Sequence, residues 1–197
     1  MKKEMTSTII KPGIGFLDHF FSEKLVLPTL GVWKALGFTP NGLTTLGLLS
    51  SIGSLYCFQK NKLKLASLLV VARMYFDYAD GLFARKYEMS SQFGDYYDHF
   101  VDLTFLLGFV YTMWIKGYKR HAYIVLMIVG VLFCFNMACI ENECKDCKHR
   151  QSLSVLDIFK APCGAHNWFK IIDNSWLYAV MIGIVMHKPK PPNKNKK

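Results

Sequence analysis

Apolar residues in this chain come in long blocks, and short polar stretches between the blocks collect most of the bases. The longest uncharged block, Ala122 to Ile140, runs for nineteen residues. As a helix it spans roughly the 30 Å of a bilayer's hydrocarbon layer. Blocks near Leu43–Phe58, Leu63–Phe83, Phe100–Ile115 and Trp168–Met186 predict four further spans, the last weakened in its first turn by Asp173 and Asn174. Upstream, Ile14 to Leu36 interleaves Phe16, Leu17, Phe20, Phe21, Leu25 and Leu27 with Asp18, His19, Glu23 and Lys24. That pattern reads as an amphipathic helix lying in the membrane interface, with Pro28 placed to kink or break it. A sixth span is the other reading of this stretch. The expected fold is therefore all-α: a polytopic membrane bundle of five or six transmembrane helices after an interfacial N-terminal helix. It occupies residues 1–186 as one domain, and the Lys-, Pro- and Asn-rich stretch 187–197 reads as a basic disordered tail.

Composition narrows the class. The 197 residues are 52% hydrophobic and 19% charged with a net charge of +10, and the mean hydropathy is +0.19. So apolar a chain is not intrinsically disordered. Its six cysteines lie partly inside apolar blocks, which argues against a disulfide scaffold. Met1-Lys2-Lys3-Glu4 and the Thr/Ser-rich lead carry no small-residue cleavage site, so no cleaved leader is expected. The flanks on the N-terminal side of the membrane carry about twice the Lys and Arg of the other side, which puts that side in the cytosol. With five spans the basic tail falls on the opposite side, and an even number of spans or a re-entrant segment near Leu153–Cys163 would relieve that conflict.

The chemistry is concentrated in one stretch. Asp77, Asp80 and Ala84 lie at i, i+3 and i+7 on one helical stripe, and Gly94, Asp98 and Asp102 lie at i, i+4 and i+8 on the next. A short polar linker joins the two, so the helices are expected to be antiparallel neighbours with four carboxylates converging at one mouth. Four such charges repel unless cations balance them, and hard oxygen donors suit Mg²⁺ or Mn²⁺. Gly81, Ala84 and Gly94 give a flat ligand clearance near the backbone, and Arg85 offers a planar fork for phosphate. Together these residues describe a diphosphate site with two metal ions. The alternative is structural ion pairing such as Arg73 with Asp77, but one Arg cannot neutralise four acids.

The spacing D-x2-D-G-x2-A-R-x8-G-x3-D-x3-D, running from Asp77 to Asp102, resembles the signature of the class-I CDP-alcohol phosphatidyltransferases, and every specified position is present. Thr39-Pro40-Asn41-Gly42-Leu43-Thr44 is similar to the Pro-Asn-x-x-Thr start of that family's first span. The resemblance runs from about Pro12 to Ile140 and fades beyond. It implies about six transmembrane helices, often in a homodimer, and attack of an alcohol on the β-phosphate of a CDP-linked alcohol with release of CMP. By position it implies that Asp77, Asp80 and Asp98 hold the metals with Asp102 at their edge, and that Asp102 is the catalytic base. It likewise implies that Gly81, Ala84, Arg85, Ser91 and Gly94 line the CDP moiety, with Asn41 and Thr44 reaching it from the first span. One substrate is then a lipid, and the active site faces the cytosol.

Two other enzyme or carrier classes compete. An intramembrane prenyltransferase also uses Asp clusters with Mg²⁺, but on two separated motifs. An ion carrier explains buried acids but not Arg85 or the glycines. Within the resembling family, the donor is CDP-diacylglycerol with a soluble alcohol acceptor, or CDP-choline or CDP-ethanolamine with diacylglycerol. The short chain favours the first pair, whereas Asp98-His99 and the Thr-Pro-Asn-Gly-Leu-Thr start are similar to the second. Cys144, Cys147, Cys163 and His166 have the spacing of a Cys₃His zinc site, with His149 nearby. Reduced thiols in a lysine-rich loop are the expected reading of them. His99 either orients a metal ligand or packs at the surface. No nucleic-acid-binding motif is present, and the positive charge suits anionic lipid headgroups.

Overall fold

A computed structural model describes residues 16–128, 130–131 and 174–186, and all regular structure among them is helical. The N-terminal segment is not one helix. It comprises α1 (Phe16–Phe21), a π-helical turn over Ser22–Val26, a 3₁₀ turn over Leu27–Thr29 and α2 (Leu30–Ala35). Pro28 lies in the 3₁₀ turn, where its missing N–H and fixed φ interrupt the ladder. Three long helices follow: α3 (Pro40–Gln59), α4 (Leu63–Lys86) and α5 (Gln92–Ile115). Residues 119–128 are helical, and α6 (Asn174–Met186) is the last described element.

The helix starts are written into the chain. Thr39 has an extended backbone and its hydroxyl accepts from Gly42 N–H, with Pro40 opening the first turn of α3. Ser91 does the same for α5 by accepting from Gly94 N–H at 3.0 Å. Such caps satisfy N–H groups that have no intrahelical partner. At the opposite ends, Asn61 and Gly117 take φ of 58° and 86°, the left-handed geometry that closes a helix and turns the chain.

Helix α3 is the shared partner of α4 and α5. Its inner face is small: Gly47 lies against Phe76 of α4, and Gly53 against Leu69. From α5, Gly108 leaves room for Leu55 of α3, whose Cδ1 would come within 2.6 Å of an added Cβ. The buried hydroxyls of Ser50, Ser51 and Ser54 donate to carbonyls one turn back in their own helix at 2.8–2.9 Å, so they cost little when sealed between helices. The backbones of α4 and α5 scarcely approach each other; between them lie a charged layer, Arg73 with Asp77 and Asp102, and the apolar side chains of Val70, Met74, Phe105 and Phe109. The two acidic helices both lean on α3 and meet each other through those side chains.

Two apolar clusters flank this charged layer. One joins Cys57, Phe58, Val70, Met74, Phe105, Phe109 and Met113 with Tyr178 and Met181 of α6. The other joins Val26 and Leu30 of the N-terminal segment with Leu43, Ala79, Leu82 and Phe83. Outward faces are also apolar: Leu49, Ile52, Leu68, Phe100, Leu103, Leu107 and Tyr111 are all exposed. The interior holds Asp18, Arg73, Asp80 and Thr44, so polarity is partly inverted relative to a water-soluble bundle.

The segments Leu43–Phe58 and Leu63–Phe83 form helices at nearly those bounds, and Phe100–Ile115 forms the C-terminal part of a helix that starts eight residues earlier, at Gln92. Among the described residues, however, no helix is long and apolar enough to cross a membrane. The reason lies in their composition: α3 is rich in Ser, Thr and Gly, α4 carries Arg73, Asp77, Asp80, Arg85 and Lys86, and α5 opens with Asp95, Asp98 and Asp102. The apolar block Ala122–Ile140 and the stretch Trp168–Asp173 lie largely outside the described residues, as do the tail 187–197 and the cysteine loop.

Candidate active site

The charged layer is built from α3, α4 and α5. Along α4, Met74 belongs to one apolar cluster and Ala79 to the other, so Asp77 falls between them. Asp98 and Asp102 follow at one-turn intervals on α5. The structure brings Asp77, Asp98 and Asp102 together, each with a carboxylate oxygen within 4.8 Å of the others, and all three are half-buried. Three hard anionic oxygens so placed are a donor set that fits Mg²⁺ or Mn²⁺. Asp80 lies one turn beyond Asp77 and is buried, and its carboxylate accepts from the Thr44 hydroxyl at 2.6 Å.

The neighbouring positions divide into two groups. Asn41, Ser91 and Gly94 meet where the first turns of α3 and α5 touch. A Cβ on Gly94 would stand 3.1 Å from both Asn41 Oδ1 and Ser91 Oγ, so a side chain there would crowd both. Gly81, Ala84 and Arg85 form the second group at the C-terminal end of α4. A Cβ on Gly81 would lie 3.3 Å from Arg85 Nη1, so the guanidinium folds back over that glycine. Ala84 is half-buried and its carbonyl accepts from Met89 N–H at 2.8 Å as the chain leaves the helix. The side chains of Thr44 and Ser91, expected against the CDP moiety, are here engaged with Asp80 and with the α5 cap.

Several contacts were not legible from spacing. Arg73 makes the expected approach to Asp77, Nη1 to Oδ1 at 3.5 Å, and also pairs through Nη2 with Asp102 on α5. Asp18, read as part of a polar helix face, is buried and accepts from Tyr78 OH. Tyr75 accepts from Trp33 Nε1 at 2.8 Å and shares a hydrogen bond with Thr29, whose hydroxyl donates to Val26 O. These links hold the N-terminal segment on α4 beside the acids. The aromatic and Asp/Thr residues of that segment were the only sequence signal, and their partners lie more than forty residues away. His99 is exposed, with Nδ1 2.6 Å from Asp95 O on its own helix. Cys144, Cys147, Cys163 and His166 lie outside the described residues.

The family model for CDP-alcohol phosphatidyltransferase matches residues 38–185. The match starts after the N-terminal segment and continues past Ile140 through most of α6, further than the motifs alone reached. No curated protein and no solved structure matches the chain. The match covers about three quarters of the 197 residues and contains every aspartate of the cluster. The chain therefore belongs to the CDP-alcohol phosphatidyltransferase family, enzymes of phospholipid synthesis that transfer a phosphoalcohol from a CDP-alcohol.

Proposed function

We propose that this enzyme is an integral membrane transferase that joins a soluble alcohol to the phosphatidyl group of CDP-diacylglycerol, with its active site facing the cytosol. The observation that carries the reading is the convergence of Asp77, Asp98 and Asp102, whose carboxylate oxygens lie within 4.8 Å of one another on the two helices that also carry Gly81, Arg85 and Gly94. The family is membrane-bound, and the apolar outer faces of α3, α4 and α5 around a polar interior suit lipid surroundings. The excess of Lys and Arg on the N-terminal side supports the orientation.

Asp77, Asp80, Asp98 and Asp102 would hold two divalent cations, Mg²⁺ or Mn²⁺. When bound, these supply charge neutralisation for the diphosphate and for CMP as it departs. Arg85 binds a phosphate through its fork, while Gly81, Ala84 and Gly94 keep side chains out of the path of the nucleotide. Asn41, Thr44 and Ser91 line the CDP moiety from the starts of α3 and α5. The acceptor hydroxyl gives its proton to the Asp102 carboxylate, and its oxygen forms a bond to the β-phosphorus. The bond between that phosphorus and CMP breaks, and CMP leaves with the electron pair. The products are a phosphodiester lipid, CMP and protonated Asp102, which returns its proton to water.

The test is CMP release by purified enzyme from CDP-diacylglycerol, CDP-choline and CDP-ethanolamine, each with a panel of alcohol acceptors including diacylglycerol. Turnover only with CDP-diacylglycerol and a soluble alcohol is expected, with complete loss in excess EDTA and recovery on adding Mg²⁺ or Mn²⁺. Turnover of CDP-choline or CDP-ethanolamine with diacylglycerol would reassign the substrates, and full activity in EDTA would remove the metal role.

A further inference from the structure

The guanidinium of Arg73 is almost completely buried, at 2% exposure, and it spans the gap between the two acidic helices. Nη1 faces Asp77 of α4 and Nη2 pairs with Asp102 of α5. Its flat faces are held by aromatic rings, with Cζ 4.8 Å from the centroid of Phe105 and 5.2 Å from that of Tyr178 on α6. Nε is buried and has no hydrogen-bond partner among the described residues. An arginine pays heavily for such burial unless carboxylates compensate it, and three clustered carboxylates are equally costly without a cation. Each therefore answers the other's charge. Lysine would not serve in the same way, because one ammonium cannot present two parallel donors to acids on different helices.

We propose that Arg73 is a positioning residue that acts as the resident counter-cation of the acidic cluster. It holds Asp102 against α4 when divalent metal is absent and competes electrostatically with metal for Asp77 and Asp102. The Phe105 and Tyr178 rings set the guanidinium's place, so the packing of α6 reaches the cluster through Arg73. The inference rests on the metal-dependent reading above and adds a competitor within the chain itself.

Two measurements on purified protein in nanodiscs test it: Mn²⁺ binding by electron paramagnetic resonance, and thermal melting in EDTA and in saturating Mn²⁺. Arg73→Met should bind Mn²⁺ roughly tenfold or more tightly than the parent, because removing a nearby positive charge relieves a poorly screened repulsion. Its melting temperature should fall sharply in EDTA and recover most of the loss in Mn²⁺. Unchanged or weaker Mn²⁺ binding, with an equal melting loss in both conditions, would make Arg73 a packing residue and overturn the proposal. Arg73→Lys keeps the charge and supplies the test if the Met variant does not accumulate. It should leave Mn²⁺ affinity within about threefold and the CDP-alcohol KM unchanged, yet lower kcat by roughly tenfold because Asp102 loses its tether. Parent-like kcat in Arg73→Lys would also overturn the proposal. If the parent itself binds no Mn²⁺, the metal reading fails first and this inference with it.

Discussion

The Thr44 hydroxyl of α3 donates to a carboxylate oxygen of Asp80 of α4 at 2.6 Å, and both side chains are buried. This bond ties the two most closely packed helices together at the level of the acids and fixes the direction in which Asp80 presents its other oxygen. Thr44→Val keeps the shape and removes the donor. The cost is about 1–3 kcal/mol of stability, since a buried carboxylate loses a partner. The Mg²⁺ concentration for half-maximal activity should rise several-fold, and activity titrated with Mg²⁺ measures it. A parent-like titration would show that Thr44 only packs.

Asp102 and Asp80 should separate in their effects. Asp102→Asn preserves volume and can still accept from Arg73, but it cannot take the acceptor's proton. CDP-substrate binding by calorimetry should survive while kcat falls by about 10²–10⁴, the usual range for loss of a general base. Asp80→Asn should instead weaken metal and nucleotide binding directly. Equal loss of binding in both variants would assign Asp102 chiefly to the metal.

Arg85 sits over Gly81, where an added Cβ would be only 3.3 Å from Nη1. Arg85→Lys keeps the charge and loses the planar two-point contact, so the CDP-substrate KM should rise by roughly tenfold with little change in melting temperature. Steady-state kinetics against the CDP-alcohol decide it, and an unchanged KM excludes phosphate binding by Arg85.

Lys116 closes the opposite end of the bundle. Its ammonium donates to Phe58 O at 3.0 Å, Gln59 O at 3.3 Å and Asn61 Oδ1 at 2.7 Å. It thereby adds a donor to carbonyls at the C-terminus of α3, where Phe58 O also accepts from Asn61 N–H, from a neighbouring helix end. Lys116→Met should cost about 1 kcal/mol, read as a lower melting temperature, while kcat stays at the parent value because the acids lie at the other end of α4. A large loss of activity with normal stability would contradict that separation.

The helices and their acidic stripes were legible because both signals are local. A hydroxyl three residues before a free N–H predicts its own cap, as at Thr39 and Ser91. Asp77 and Asp80, or Asp98 and Asp102, share a face by helical periodicity alone. The N-terminal segment was less legible. Its interleaved pattern predicts an amphipathic helix with Asp18 on the polar face, whereas the fold turns Asp18 inward to Tyr78 and leaves Phe20 and Leu25 exposed. Which face is buried depends on what the segment meets, and that partner is forty or more residues away.

From the sequence alone came the helical class, the signature from Asp77 to Asp102, the family resemblance and the requirement that clustered carboxylates find cations. Each follows from spacing along one helix or from unbalanced charge, which no folding step is needed to reveal. Only the tertiary structure decided which acids meet. It placed Asp102 with Asp77 and Asp98, gave Asp80 to Thr44, and set Arg73 between α4 and α5 under the rings of Phe105 and Tyr178. Those assignments depend on how α4 and α5 rotate and separate as they pack against α3. The small residues Gly47, Gly53 and Gly108 set that packing, and no single-helix periodicity records it.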